Sequence, residues 1–298
     1  MVGITAAAGA LVIAGGVALW TLTRPLSAEA VADQYLQALS NGDAAAIDRL
    51  VAGDDGLDEQ SDAIFAGASG YISDYSVAIS PESDAVRTAR ADVELGGEPA
   101  VIRFTLTQED GRWRVAGDHL ASLRVDSSIG DSVHVGGVVV PASTELAVLP
   151  AVYPVTAAPA ELVTGDATAI VTGEAPVTVT LAAALSPDAT GLAQAQLDEY
   201  ADACARPAAA VPDNCGVRVP WAADLATLAS IAFRIDAYPA VALGEDGRSF
   251  AATGGQIVAT ATGTTRDGQP GTFTYRADDW ALRGSVSFAG EEMVLEVR

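Results

Sequence analysis

The chain opens on 22 residues, Val2 to Thr23, that carry no charge, and the first charged side chain after them is Arg24. As a helix this run is about 33 Å long, enough for a bilayer core, so residues 1–24 are expected to form a transmembrane anchor. The pattern then takes a helical period. Ala30, Val31, Tyr35, Ala38 and Leu39 share one helical face, with Ser27 as N-cap and Asn41-Gly42 as the stop. Asp43 caps a second helix through Ala45, Ile47, Leu50 and Val51, and a short third helix is expected over 58–67.

After residue 70 alternation replaces the helical period. Ala89, Ala91, Val93 and Leu95 fall on one face of a strand, and strands at 100–107 and 112–116 flank the turn Glu109-Asp110-Gly111. From 126 to 185 the chain is valine-rich and alternating, broken by Gly136-Gly137 and prolines, which predicts a small all-β module. Leu192, Ala195, Gln196, Tyr200 and Ala203 then mark a helix over 190–204. Strands follow at 230–238, 255–262, 272–276 and 285–297. The expected class is therefore α+β. It comprises a transmembrane helix (1–24), a helix-plus-curved-antiparallel-sheet domain (27–125), the small β module (126–185) and a second helix-plus-antiparallel-meander domain (186–298).

The opening AEAVADQYLQALSNGDAAAIDRLV, followed by a meander ending DGRWRVAG, resembles the nuclear-transport-factor-like superfamily of cone-shaped α+β domains. The resemblance covers residues 27–125 and rests on the helix-Gly-Asp-helix opening and the late Asp-Gly-x-Trp strand. It implies a sheet curled around helices. It names no activity, because the superfamily holds enzymes and non-catalytic modules alike.

Composition narrows the function. Half the residues are hydrophobic but only 6% aromatic, so cores are expected to consist of small aliphatic side chains. The net charge is −23 and the basic residues are scattered singly, which argues against a nucleic-acid partner. Lysine is absent and every base is arginine, so Schiff-base chemistry, a Walker phosphate loop and a Ser-x-x-Lys nucleophile are excluded. Alanine richness without lysine resembles the proteins of high-GC actinobacteria. Cys204 and Cys215, in CARPAAAVPDNC, are an even pair outside the apolar run, so a disulfide and an oxidising compartment are expected. A body outside the cytoplasm fits that pair, although Arg24 alone votes for the opposite orientation. A cleaved signal peptide ending Ala28-Glu29-Ala30 is the alternative to an anchor.

Candidate chemistry is sparse. Inside a cone, Asp118-His119, Tyr71, Tyr75 and Asp43 are the acid–base candidates, against which His119 reads as a water-exposed strand end and Asp43 as a helix cap. Asp131, Ser132 and His134 list a triad, but no G-x-S-x-G elbow accompanies them. Asp54, Asp55, Asp58, Glu59 and Asp62 could gather calcium, yet Gly56 falls where an EF-hand needs its second ligand. Trp113, Trp221 and Trp280 are expected in cores or at rims. Cofactor, metal and catalytic residues are therefore all expected to be none. The expected function is a membrane-anchored, non-enzymatic binding or scaffolding role outside the cytoplasm, with an envelope protein or peptide as partner. A ligand-binding or catalytic cone and a purely structural stalk are the alternatives.

Overall fold

The computed structural model describes residues 25–53 and 57–298. They divide into two compact units. The first holds the chain up to Leu123 together with 146–153 and 169–177; the second holds 124–145, 154–168 and 178–298.

In the first unit, helices α1 (Ala28–Asn41), α2 (Ala44–Asp48) and α3 (Glu59–Ala66) precede four strands: β1 (Ser73–Pro81), β2 (Val86–Leu95), β3 (Glu98–Glu109) and β4 (Arg112–Val115). The strands form one antiparallel sheet in the order β1-β2-β3-β4. Each helix begins on a side-chain cap: Ser27 accepts from the Ala30 N–H (3.3 Å), Asp43 from Ala46 (2.9 Å) and Asp58 from Ser61 (2.6 Å). These bonds satisfy amide groups that a helix start leaves without a partner. Gly42, at φ +66°, ends α1 in the left-handed conformation that costs glycine least. Helix α1 packs on β1 and β4. It buries Val31, Tyr35, Leu36 and Leu39, while β2 and β3 bury Ala89, Ala91, Leu95, Ile102, Phe104 and Leu106. Each buried Val, Leu, Ile or Phe among them contributes roughly 1.5–3 kcal/mol on leaving water. Residues 146–153 join this unit through Val152, whose backbone exchanges hydrogen bonds with Ser69 (2.8 Å) and Gly70 (2.9 Å).

Nine short strands follow: β5 (Ala121–Ser127), β6 (Ser132–Val135), β7 (Val138–Pro141), β8 (Glu145–Val148), β9 (Ala151–Ala157), β10 (Val163–Thr164), β11 (Asp166–Val171), β12 (Val177–Leu181) and β13 (Ala184–Leu185). Residues 126–185 are thus distributed over both units.

In the second unit, α4 (Pro187–Cys204) starts on the Ser186 cap with proline in its first turn. Five strands come next: β14 (Thr227–Ala237), β15 (Ala240–Leu243), β16 (Ser249–Thr264), β17 (Pro270–Ala289) and β18 (Glu292–Val297). The sheet order is β14-β16-β17-β18, with β15 also on β16. The register of β16 against β17 shifts between Ala252 and Ile257, opposite Trp280. Such a bulge bends a strand without ending it. Helix α4 packs on β15 and β18. Under the other end of the sheet Leu225, Ile231, Ala259 and Ala261 form a core with Phe273 and Tyr275 at its margin.

The expected α+β class with a transmembrane helix is corrected. Among the described residues the chain is mostly β, 50% strand and 19% helix. The excess comes from strands the sequence pattern cuts short. Asp278, Asp279 and Gly284 interrupt the alternation within 272–297, yet one strand of 20 residues passes through all three. Ala240–Leu243 and Ala121–Ser127, not assigned from the pattern, are strands as well. The expected anchor, 1–24, lies outside the described residues. Among the described residues no helix is long and apolar enough to cross a membrane.

Candidate functional site

The residues singled out in the first unit do not converge on an open pocket. Asp118 and His119 lie in a 3-10 turn, Gly117–His119, rather than on a strand. Asp118 faces out, accepting from the Thr105 hydroxyl (2.7 Å). His119 is 3% exposed, not the water-exposed strand end of the alternative reading. Its Nδ1 donates to the Ala116 carbonyl (2.9 Å), and its ring meets Tyr35 edge-on with centroids 6.0 Å apart. Tyr35 is 0% exposed and packs on Phe104 at 4.7 Å. Burial, reinforced by the Asp118 charge, holds the Tyr35 phenol far above its ordinary range, so it stays protonated. Tyr71 donates to the Phe65 carbonyl (3.1 Å). Burial, and then the charge and hydrogen bond of Asp33, push Tyr75 up. Asp43 serves as a cap.

The Tyr35 hydroxyl is buried with no hydrogen-bond partner among the described residues. A polar atom in that position costs its desolvation, about 1–3 kcal/mol. Tyr35→Phe is therefore expected to hold or raise the stability of the first unit, by up to about 1 kcal/mol. A drop of the melting temperature in calorimetry would show that the hydroxyl is bonded in solution.

In the second unit Ser132 donates to its neighbour Asp131 (2.9 Å). His134 is engaged at both nitrogens, by the Ala157 carbonyl (3.3 Å) and Glu291 (3.0 Å). Serine and histidine have separate partners, so they form no triad. Of the acidic run, Asp54 and Asp55 lie outside the described residues. Asp58 caps α3, its carboxyl held below the usual range by the Ser61 amide and hydroxyl. Burial, then the charges of Asp48 and Asp58, push Asp62 up. Trp113 sits beneath the Arg87 guanidinium at 5.0 Å, Trp221 borders the core of the second unit, and Trp280 is 2% exposed within a core.

The constellation the structure assembles is elsewhere, around the cysteines. Cys204 is the last residue of α4, and Cys215 lies in the proline-bearing segment that follows it. They stand at disulfide distance, with Cα atoms 5.8 Å apart. Three further contacts hold that segment. Trp280 Nε1 donates to the Cys215 carbonyl (2.8 Å), and the Tyr200 hydroxyl donates to the Asn214 carbonyl (3.0 Å). Gly216, at φ +64°, lies so close to β17 that a Cβ would run into the Ala281 carbonyl oxygen. The segment becomes one wall of a polar cleft of about 680 Å³, with Ala277 to Arg283 of β17 as the other wall.

Arg218, Arg283 and Arg298 line this cleft with Asp213 and Asp279. Arg298 pairs with Glu296 at 3.0 Å. Arg218, Arg283, Asp213 and Asp279 make no side-chain hydrogen bond or ion pair among the described residues. Elsewhere on the same sheet arginines are engaged: Arg276 bonds Asp278 (2.6 Å), Asp236 (2.9 Å) and Gln256 (2.9 Å). Uncommitted guanidiniums beside a rigid wall can receive carboxylate or another planar anion in fork geometry. No local pattern marks them, because Arg218 and Arg283 stand alone in the chain and only the fold places both at one cleft. No family model matches this chain, and no curated protein or solved structure does either.

Proposed function

We propose that the protein is a non-enzymatic binding module working outside the cytoplasm, at the cell envelope, and that the cleft of the second unit is where it engages its partner. The observation that carries this reading is the cleft itself. One wall is tied down through Cys204 and Cys215, while charged side chains facing it are left without partners. A cysteine pair at disulfide distance supports an oxidising compartment, since thiols in the cytoplasm are kept reduced. The catalytic-cone alternative has less support: Tyr35 and His119 are closed to solvent, and a general acid or base must reach a substrate proton. For residues 27–125 the three helices and the four-stranded antiparallel meander support the nuclear-transport-factor-like reading, which is proposed on that order of elements alone.

The test is retention of envelope material by the full chain, compared with Arg218→Ala/Arg283→Ala. Both side chains are exposed, so the variant is expected to keep its fold, which its circular dichroism checks. Retention is expected to fall at least about tenfold if both arginines bind the partner. Equal retention by the two proteins would dismiss the cleft as the binding site.

A further inference from the structure

We propose that the cleft takes a short zwitterionic peptide in extended conformation, laid along the open edge of β17. This rests on the reading of the cleft as a binding site and names the ligand class for it. The first support is the charge set. Beside Arg298, which Glu296 engages, two arginines and two aspartates of the cleft are left without partners, so neither kind is neutralised by the other. A polyanion would satisfy Arg218 and Arg283 but meet Asp213 and Asp279, and a polycation would meet the reverse. A ligand with a carboxylate at one end and an ammonium at the other suits both pairs.

The second support is the backbone. β16 covers one edge of β17, and β18 covers the other only from Gly284 to Ala289. From Gly271 to Trp280 the outer edge has no strand partner among the described residues, and no backbone hydrogen bond from the 205–220 segment reaches it, whereas at Ala281 the backbone of Gly216 closes in on the carbonyl oxygen. An unpaired edge presents alternating N–H and C=O groups that match a peptide main chain, the basis of recognition by strand addition. Part of this edge, from Ala277, is a wall of the cleft, so backbone matching and end charges act on the same ligand. A second copy of the chain fits poorly, because each copy carries a net charge of −23 and would bring like charge to the edge. The size of the cleft suits a ligand of a few residues, within the range of small-molecule pockets.

The experiment is a titration of the isotope-labelled full chain, followed by amide NMR, with three probes: tetraalanine, N-acetyl-tetraalanine and tetraalanine amide. Tetraalanine is expected to shift the amides of Ala277 to Trp280, and blocking either end is expected to weaken it about tenfold. In Arg218→Gln/Arg283→Gln, amidation of the carboxyl end is expected to have no further effect, while acetylation still weakens binding. Unchanged amide signals away from the cleft verify that the variant is folded. Absence of shifts in this stretch, or equal binding of free and blocked peptides, overturns the proposal. If tetraalanine fails while Arg218→Ala/Arg283→Ala still loses envelope material, the zwitterionic ligand is wrong and the binding site stands. If both experiments fail, both readings fall.

Discussion

Trp280→Ala is expected to destabilise the second unit by about 3–5 kcal/mol, the range for removing a large aromatic side chain from a core. Domains are stable by only about 5–15 kcal/mol, so this single change removes a large share of what holds the unit folded. Two effects add. The indole is 2% exposed in the middle of the sheet, so alanine leaves a cavity. Its Nε1 is also a donor to the Cys215 carbonyl, at 2.8 Å. Trp280→Phe separates the two, because it keeps most of the apolar volume and removes the donor. That variant is expected to cost about 1–3 kcal/mol, the penalty for a buried acceptor left without a partner. Urea denaturation of the three proteins measures both. A loss below about 1 kcal/mol for the alanine variant would mean that the site collapses around the deletion or that the indole is not buried in solution.

The second large effect is expected from the cysteines. Cys204→Ser/Cys215→Ser, or reduction of the wild type, is expected to cost about 3 kcal/mol in the chain-entropy account of a loop this short. The sequence separation of 11 sets that value. Unfolding measured with and without reductant checks it, and coincident curves would mean that no bond forms. The two perturbations meet at one residue, since Cys215 supplies both the sulfur and the carbonyl that receives Trp280. The triple variant is therefore expected to lose less than the sum of its parts, with a coupling of roughly 0.5–3 kcal/mol. Strict additivity would show that Trp280 holds its place without the segment it bonds. The same wall frames the proposed binding cleft, so loss of the cysteine pair should also weaken ligand retention without touching any charged group.

These effects mark where sequence reasoning holds and where it stops. The caps at Ser27 and Asp43 and the stop at Gly42 were legible because each acts on groups within a few residues of itself. The partnership of Cys204 and Cys215 was legible because two cysteines allow only one intramolecular pairing. His119 shows the opposite. Next to Asp118 and before a strand, it reads as an exposed terminal residue. Its ring packs on Tyr35 of α1, which in turn packs on Phe104 of β3, so distant segments enclose it. The length of β17 was likewise hidden. Asp278 and Asp279 look like a break, yet an antiparallel partner with a bulge carries the strand across them.

Local pattern suffices for the starts of the first two helices, the alternation of most strands, the acidity of the molecule and the exclusion of lysine chemistry. Those properties depend on composition or on bonds between near neighbours. The dominance of strands over helices, the enclosure of His119, and the convergence on one cleft of Arg218 and Arg283, 65 positions apart, come from long-range packing. Burial and unpaired strand edges are set by which distant segments pack together, and no local pattern encodes that distance.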